Sequence, residues 1–273
     1  MEIVLSLIGA ITPILYALAA ACYALLFARD EPFARRVATP LLVSALALHA
    51  CELVVRGVVR GRIPLATVFE TLSALAFALA FVYLYIEWRQ KNRMTGIFVI
   101  LIVFLLETVS SAFIDRTGPT PEILRSALFG LHVIAAVLGY CGFAIAAIYG
   151  ILFLALYHEL KSRRFSIVYD RLPPLEVLAQ MNIRALSVGF FCLSFAISLG
   201  AIWVMQLDDV RILDPKVLLT ILAWAIFGLS LFAHFFLRWG GPRVIYMSVT
   251  GFLFLVSSSI AVNVVGKSFH VFR

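Results

Sequence analysis

Charge is what this chain has least of: Asp, Glu, Lys and Arg together make up 14% of its 273 residues, where soluble domains carry about a quarter. Hydrophobic residues reach 63%. A soluble fold of this length must turn a large share of its residues to water, and the polar sequence to do so is missing. A bilayer removes that requirement, because roughly 20 apolar residues per helix cross its hydrocarbon core. No polar stretch is long enough for a separate extramembrane domain. The chain therefore reads as a single transmembrane helical domain over 1–273, all-α and polytopic, with about eight transmembrane helices.

Other absences narrow the class further. The four cysteines (Cys22, Cys51, Cys141, Cys192) form no C-x-x-C pair and fall inside apolar runs, so they read as small buried hydrophobes. The N-terminus has no basic n-region, and its apolar run continues to Phe27, too long for a signal-peptide core; it reads as the first span. The net charge of +7 would suggest nucleic acid in a soluble protein. Here the basic residues sit in short loops between apolar runs, where Lys and Arg set topology, and no nucleic-acid partner is expected.

Charge and proline mark the breaks. Spans are expected at 3–28, 38–59, 66–88, 95–114, 127–158, 185–206, 215–238 and 244–266. With the N-terminus outside, the cytoplasmic loops and their flanks hold 13 of the 22 Lys and Arg residues, which favours both termini on the outer side. Trp88 and Trp239 at cytoplasmic span ends, and Trp203 near an outer end, suit an interfacial belt. Leu172, Leu175, Leu178 and Met181 recur every three residues across 171–184, which suits a short amphipathic helix on the cytoplasmic surface. Asp214-Pro215 is a good N-cap and N1 pair for the seventh span, and Thr39-Pro40 an alternative start for the second.

The chemistry rests with the histidines. His49 lies inside the second span and His234 inside the seventh; His132 sits near the outer end of the fifth, and His270 follows the eighth on that same side. A strongly polar residue at membrane depth marks either function or a hydrogen bond between helices. Imidazole is a good axial ligand for haem iron, and two from facing helices can hold one haem. Neither pair is joined by a cysteine or carboxylate at zinc-site spacing. His158, beside Glu159 and Lys161, reads as interfacial. Glu52 is placed either to orient His49 or to pair with Arg56, while Glu107 lies mid-span with no evident partner. Arg56, Arg60 and Arg62 suit haem propionates and lipid headgroups equally.

Five stretches carry a family resemblance: His49 with Arg56 and GRIPLATVFETL, LHVIAAVLGYCGFAIAAIYGILFL with His132, LPPLEVLAQMNIRALSVGF, LGAIW with DPKVLLTILAWAIFGLSLFAH, and GFLFLVSSSIAVNVVGKSFH ending at His270. From about residue 40 onward the chain resembles the CcsA/ResC-type cytochrome c assembly proteins, the system II haem-handling family that includes HemX-like members. The resemblance implies a plasma (inner) membrane protein of bacterial type that binds haem b non-covalently and transports or presents it outside for cytochrome c maturation. It implies His49 and His234 as inner and His132 and His270 as outer ligands of the haem iron. It also implies a CcsB/ResB-like membrane subunit and apocytochrome c as partners. The chain itself offers no nucleophile or general base, so any synthase (haem lyase) activity belongs to such a complex. One departure is plain: the family's tryptophan-rich outer loop is here VMQLDDVRIL, with Trp203 before it and no tryptophan within. A HemX-like regulator or scaffold is thus the alternative, and a b-type electron-transfer subunit a third.

Overall fold

The computed structural model describes residues 2–114, 126–163, 165–205 and 215–265. Among the described residues there are nine helices and no strand: α1 (Glu2–Arg29), α2 (Pro32–Arg60), α3 (Val68–Gln90), α4 (Gly96–Phe113), α5 (Ala127–Ser162), α6 (Ile167–Arg171), α7 (Leu175–Val204), α8 (Pro215–Phe235) and α9 (Pro242–Val265). All except the five-residue α6 are long and apolar enough to cross a bilayer. The chain is an all-α, multi-pass membrane protein. Its packing falls into two units, Met1–Ser126 and Ala127–Arg273.

In the first unit α1 packs on α2, α2 on α3, α3 on α4 and α4 back on α1. Contacting residues run in opposite directions along neighbours, as Thr12 to Glu52 and Tyr16 to His49 do between α1 and α2. The result is an up-and-down four-helix bundle. Its helix ends follow local chemistry. Pro32 sits in the first turn of α2, and Gly61 closes that helix at φ 60. Thr67 and Glu70 form a reciprocal capping box at the start of α3. Arg62 then grips Glu70 with two bonds of 2.8 and 2.9 Å.

The second unit closes a similar ring through α5, α7, α8 and α9. Its tightest seam joins α5 to α7. A Cβ at Gly142 would lie 2.6 Å from the Gly189 Cα, so only glycine lets these backbones meet. Beside the seam, Phe143 stacks on Phe227 (3.8 Å between centroids) and Phe190 on Trp224 (5.2 Å). The Trp224 indole donates to Ser194 Oγ at 2.8 Å.

Three expectations change. The stretch 171–184 is not a separate surface helix: from Leu175 it continues unbroken into the next span as α7. Asn182 is why burial there is tolerable, since its amide donates to the Ala146 carbonyl (2.6 Å) and to Ser248 Oγ (3.0 Å). The second helix starts at Pro32, not at Thr39-Pro40; Pro40 lies inside it, and Thr39 turns its hydroxyl to Glu87. Trp203 is buried against Phe129 (5.2 Å), not held at an interface, whereas Trp88 and Trp239 are exposed. Asp214 lies outside the described residues, and α8 begins at Pro215.

Candidate functional site

His49 sits at the middle of the first bundle, fully buried. Tyr16 of α1 meets its Nδ1 at 3.1 Å, and Ser73 of α3 meets its Nε2 at 2.8 Å. The Ser73 hydroxyl donates onward to Glu107 Oε2 of α4 (2.9 Å), and Ser111 donates to Glu107 Oε1 (3.2 Å). Because the Ser73 hydrogen goes to Glu107, His49 Nε2 must carry a hydrogen of its own. In the neutral ring Nδ1 is then the acceptor for the Tyr16 hydroxyl. Glu107, partnerless by sequence, thus has three: Ser73, Ser111 and the His49 ring, whose Nε2 lies 3.3 Å away. The ring edges of Tyr16 and Phe77 flank the imidazole.

A second branch runs alongside. Glu52 accepts from Arg56 (3.1 Å) and from Thr12 (3.0 Å), so it takes the arginine and not His49. Arg60 and Arg62 both face Glu70, at 3.8 and 2.8 Å. Every arginine of the cluster proposed for propionates or headgroups therefore has a buried glutamate within reach. Burial explains it: an unpaired charge in a low-dielectric interior is far costlier than a pair.

The second unit holds its histidines differently. His132, on the second turn of α5, lies 2.8 Å through Nδ1 from the Ala196 carbonyl of α7. A carbonyl only accepts, so Nδ1 carries the hydrogen and the neutral ring keeps its lone pair on Nε2. Gly200 makes the room: a Cβ there would lie 2.9 Å from the ring. One turn nearer the α5 N-terminus, Phe129 packs on Trp203. Gly200 was within the LGAIW stretch, but nothing in the sequence marks a glycine as a seat for a ring on another helix.

His234 is one residue from the end of α8, so it lies within the span but at its terminus. There Arg238 adopts φ 53, and the chain turns back until the Trp239 N–H reaches the Ala233 carbonyl at 2.9 Å. The Trp239 carbonyl accepts from His234 Nδ1 at 3.1 Å, again leaving the lone pair on Nε2. His158 donates through Nδ1 to Leu154 and accepts from Tyr246 at 3.4 Å, in an exposed position. His270 and the stretch 206–214 lie outside the described residues. Of the expected ligands that are described, His49 belongs to the first unit, and His132 and His234 lie at opposite ends of the second.

Comparison with known proteins adds the family. Protein HemX of Brevibacillus brevis is 31% identical over 249 residues, which is 90% of this chain and 91% of that one. Cytochrome c biogenesis protein CcsA of Guillardia theta is 26% identical over 235 residues, covering 79% and 78%. The same-named protein of Heterosigma akashiwo is 25% identical over 243 residues, covering 76% of each. A family described as cytochrome C assembly protein matches residues 65–270, a stretch that contains His132, His234 and His270 and begins after His49. With three quarters of its length inside that match and a relative above 30% identity along nine tenths of it, this chain belongs to the cytochrome c assembly protein family.

Proposed function

We propose that this chain binds haem b non-covalently and presents it at the outer face of the plasma membrane for cytochrome c maturation. The observation that carries the reading is the fixed ring of His132. Its Nδ1–H is tied to the Ala196 carbonyl, which orients the imidazole and reserves Nε2 for a metal, the usual arrangement behind a histidine ligand. His270 is the proposed second outer ligand, and His234 the inner one, with its ring fixed in the same sense by Trp239. His49 fits iron less readily. It joins the inner site only if Nε2 leaves Ser73 and Glu107, or Nδ1 leaves Tyr16. Bound haem would supply the vinyl groups that form thioethers with the thiols of a C-x-x-C-H apoprotein; the residues here hold and orient it. The proposed partners are a CcsB/ResB-like membrane subunit and apocytochrome c. The excess of Lys and Arg in alternate loops supports both termini on the outer side.

The test is the reduced-minus-oxidised visible spectrum of the purified protein, with and without added haem, repeated for His132→Ala, His270→Ala, His49→Ala and His234→Ala. Loss of signal in the two outer variants alone confines the site to that pair. No haem signal in any preparation sinks the proposal. A HemX-like regulator or scaffold is the second reading. It is favoured by the tryptophan-free stretch 204–213, since flat aromatic stacking on a porphyrin is what a presenting loop should provide. A maturation assay with a partner subunit separates the two, because a regulator would bind haem without supporting attachment.

A further inference from the structure

At the end of the first bundle opposite the α1 N-terminus the chain reverses twice, between α1 and α2 and between α3 and α4. Arg93 fastens the two connections side by side. Its guanidinium donates to the Arg35 carbonyl and pairs with buried Glu87 at 3.2 Å, and its own carbonyl accepts from Tyr83 at 3.4 Å. Glu87 also accepts from the hydroxyls of Tyr23 and Thr39, and Arg35 pairs with Asp30. An apolar layer of Leu42, Leu46, Leu79 and Ile100, all buried, lies between this polar group and the one around His49.

The charges at the two ends of this bundle are treated differently. At the α1 N-terminal end, Arg56, Arg60 and Arg62 each face a buried glutamate. At the opposite end Arg29, Arg36, Arg89 and Lys91 are exposed, and among the described residues their side chains make no hydrogen bond or ion pair. Among the described residues there, Glu31 is the one carboxylate outside the Asp30 and Glu87 pairs. Aromatic rings accompany the cations at helical spacing: Phe33 lies one turn from Arg36 on α2, and Tyr85 one turn from Arg89 on α3. Phe33 is 69% exposed and Trp88 70%, with the Trp88 ring 6.2 Å from that of Tyr85. Exposed rings at the end of a spanning helix sit at the level of lipid headgroups, which puts the unpaired cations at the level of the phosphates.

We propose that this end of the first bundle is a binding surface for anionic phospholipid, with Arg36, Arg89 and Lys91 holding the headgroup and Phe33 and Trp88 resting against the glycerol and upper acyl chains. A guanidinium offers a planar fork of donors that matches two phosphate oxygens, and a lysine adds a point charge. A zwitterionic lipid brings its own ammonium to the same place and cancels part of the attraction; a lipid of net negative charge does not. The exposed rings decide for lipid over a soluble anion, because an inorganic phosphate gains nothing from them. Arg93 and Glu87 supply the preorganisation: by fastening the two connections they hold cations from α2 and α3 at a set spacing, so little ordering is needed when a headgroup arrives. The surface is independent of haem, since every residue in it lies beyond the apolar layer from His49 and in the unit that lacks His132 and His234.

The experiment is native mass spectrometry of the full chain in detergent, titrated with phosphatidylglycerol or phosphatidylcholine to give the dissociation constant of the first bound lipid. The wild type is expected to bind phosphatidylglycerol the more tightly. Replacing three cations together (Arg36→Gln, Arg89→Gln, Lys91→Gln) should weaken that binding about tenfold or more, with the unfolding temperature unchanged because none of the three is bonded within the fold. The singles Arg36→Gln and Lys91→Gln, each about fivefold weaker, make the same test should the triple variant unfold early. Arg36→Lys, Arg89→Lys and Lys91→Arg together keep the charge and most of the affinity. Lys161→Gln, Arg163→Gln and Arg184→Gln remove as much charge from the second unit and should leave the constant unchanged. Equal affinity for the two lipids overturns the proposal. So does a glutamine set that binds like the wild type, or a second-unit set that loses as much. Displacement of the lipid by inorganic phosphate in excess would give the cluster to a soluble anion and overturn it too.

Discussion

The two four-helix bundles are alike in topology and opposite in what they do with a histidine. In the first, His49 is held by side chains on both nitrogens and belongs to a network of glutamate, serine and tyrosine. In the second, His132 and His234 are each held by a single backbone carbonyl, and the other nitrogen keeps its lone pair. A backbone acceptor fixes a ring without competing for the metal side. A ring gripped on both sides transmits hydrogen bonds instead. The supporting physics differs as well: buried ion pairs and capped ends in the first bundle, glycine seams and stacked aromatics in the second.

The sharpest way to break that contrast is Arg56→Met. Among the described residues it leaves buried Glu52 with only Thr12 to donate, and should destabilise the first bundle by about 3–5 kcal/mol. Thermal unfolding in detergent checks it, and haem bound per folded molecule should stay unchanged if the second bundle alone carries the outer site. Next comes Gly142→Val, which drives a side chain into Gly189 and should cost about 1–3 kcal/mol of stability. A smaller effect is expected from Gly200→Ala. Its Cβ pushes the His132 ring away from Ala196, and haem titration should show affinity about tenfold weaker, or about 1.4 kcal/mol, with little change in unfolding temperature. Smallest is Ser73→Ala, which removes one buried hydroxyl between His49 and Glu107 for about 1 kcal/mol by the same unfolding measurement. If Ser73→Ala weakened haem binding more than Gly200→Ala, the division of labour between the bundles would be reversed.

Much of this was legible beforehand for a simple reason. Spanning helices are dictated by length and apolarity, which the chain states openly, so eight of them could be counted from 273 letters. What failed were boundaries set by tertiary contact. Leu178 and Met181 have the spacing of a surface helix, but Asn182 finds partners on α5 and α9, and the helix runs on into the membrane. Pro40 looks like a helix start, yet Thr39 has a use elsewhere. The capping box of Thr67 and Glu70 has the local T-x-x-E spacing and explains why Glu70 lies where it does. Glu107 and Gly200 illustrate the limit. Their roles depend on residues 34 and 68 positions away, on helices whose pairing no local pattern specifies. Histidine identity could be read from the chain; histidine tautomer could not, because it is set by whichever atom faces each nitrogen.

The apolar layer of Leu42, Leu46, Leu79 and Ile100 has an electrical meaning. Where one side of a membrane protein is wetted and the other is dry, the transmembrane voltage falls mainly across the dry part. A unit charge carried through the full drop gains or loses about 2.3 kcal/mol for every 100 mV. A layer of three leucines and one isoleucine would therefore take a large share of any voltage across the first bundle. His49 and Glu87, on opposite sides of that layer, would then sit at different potentials.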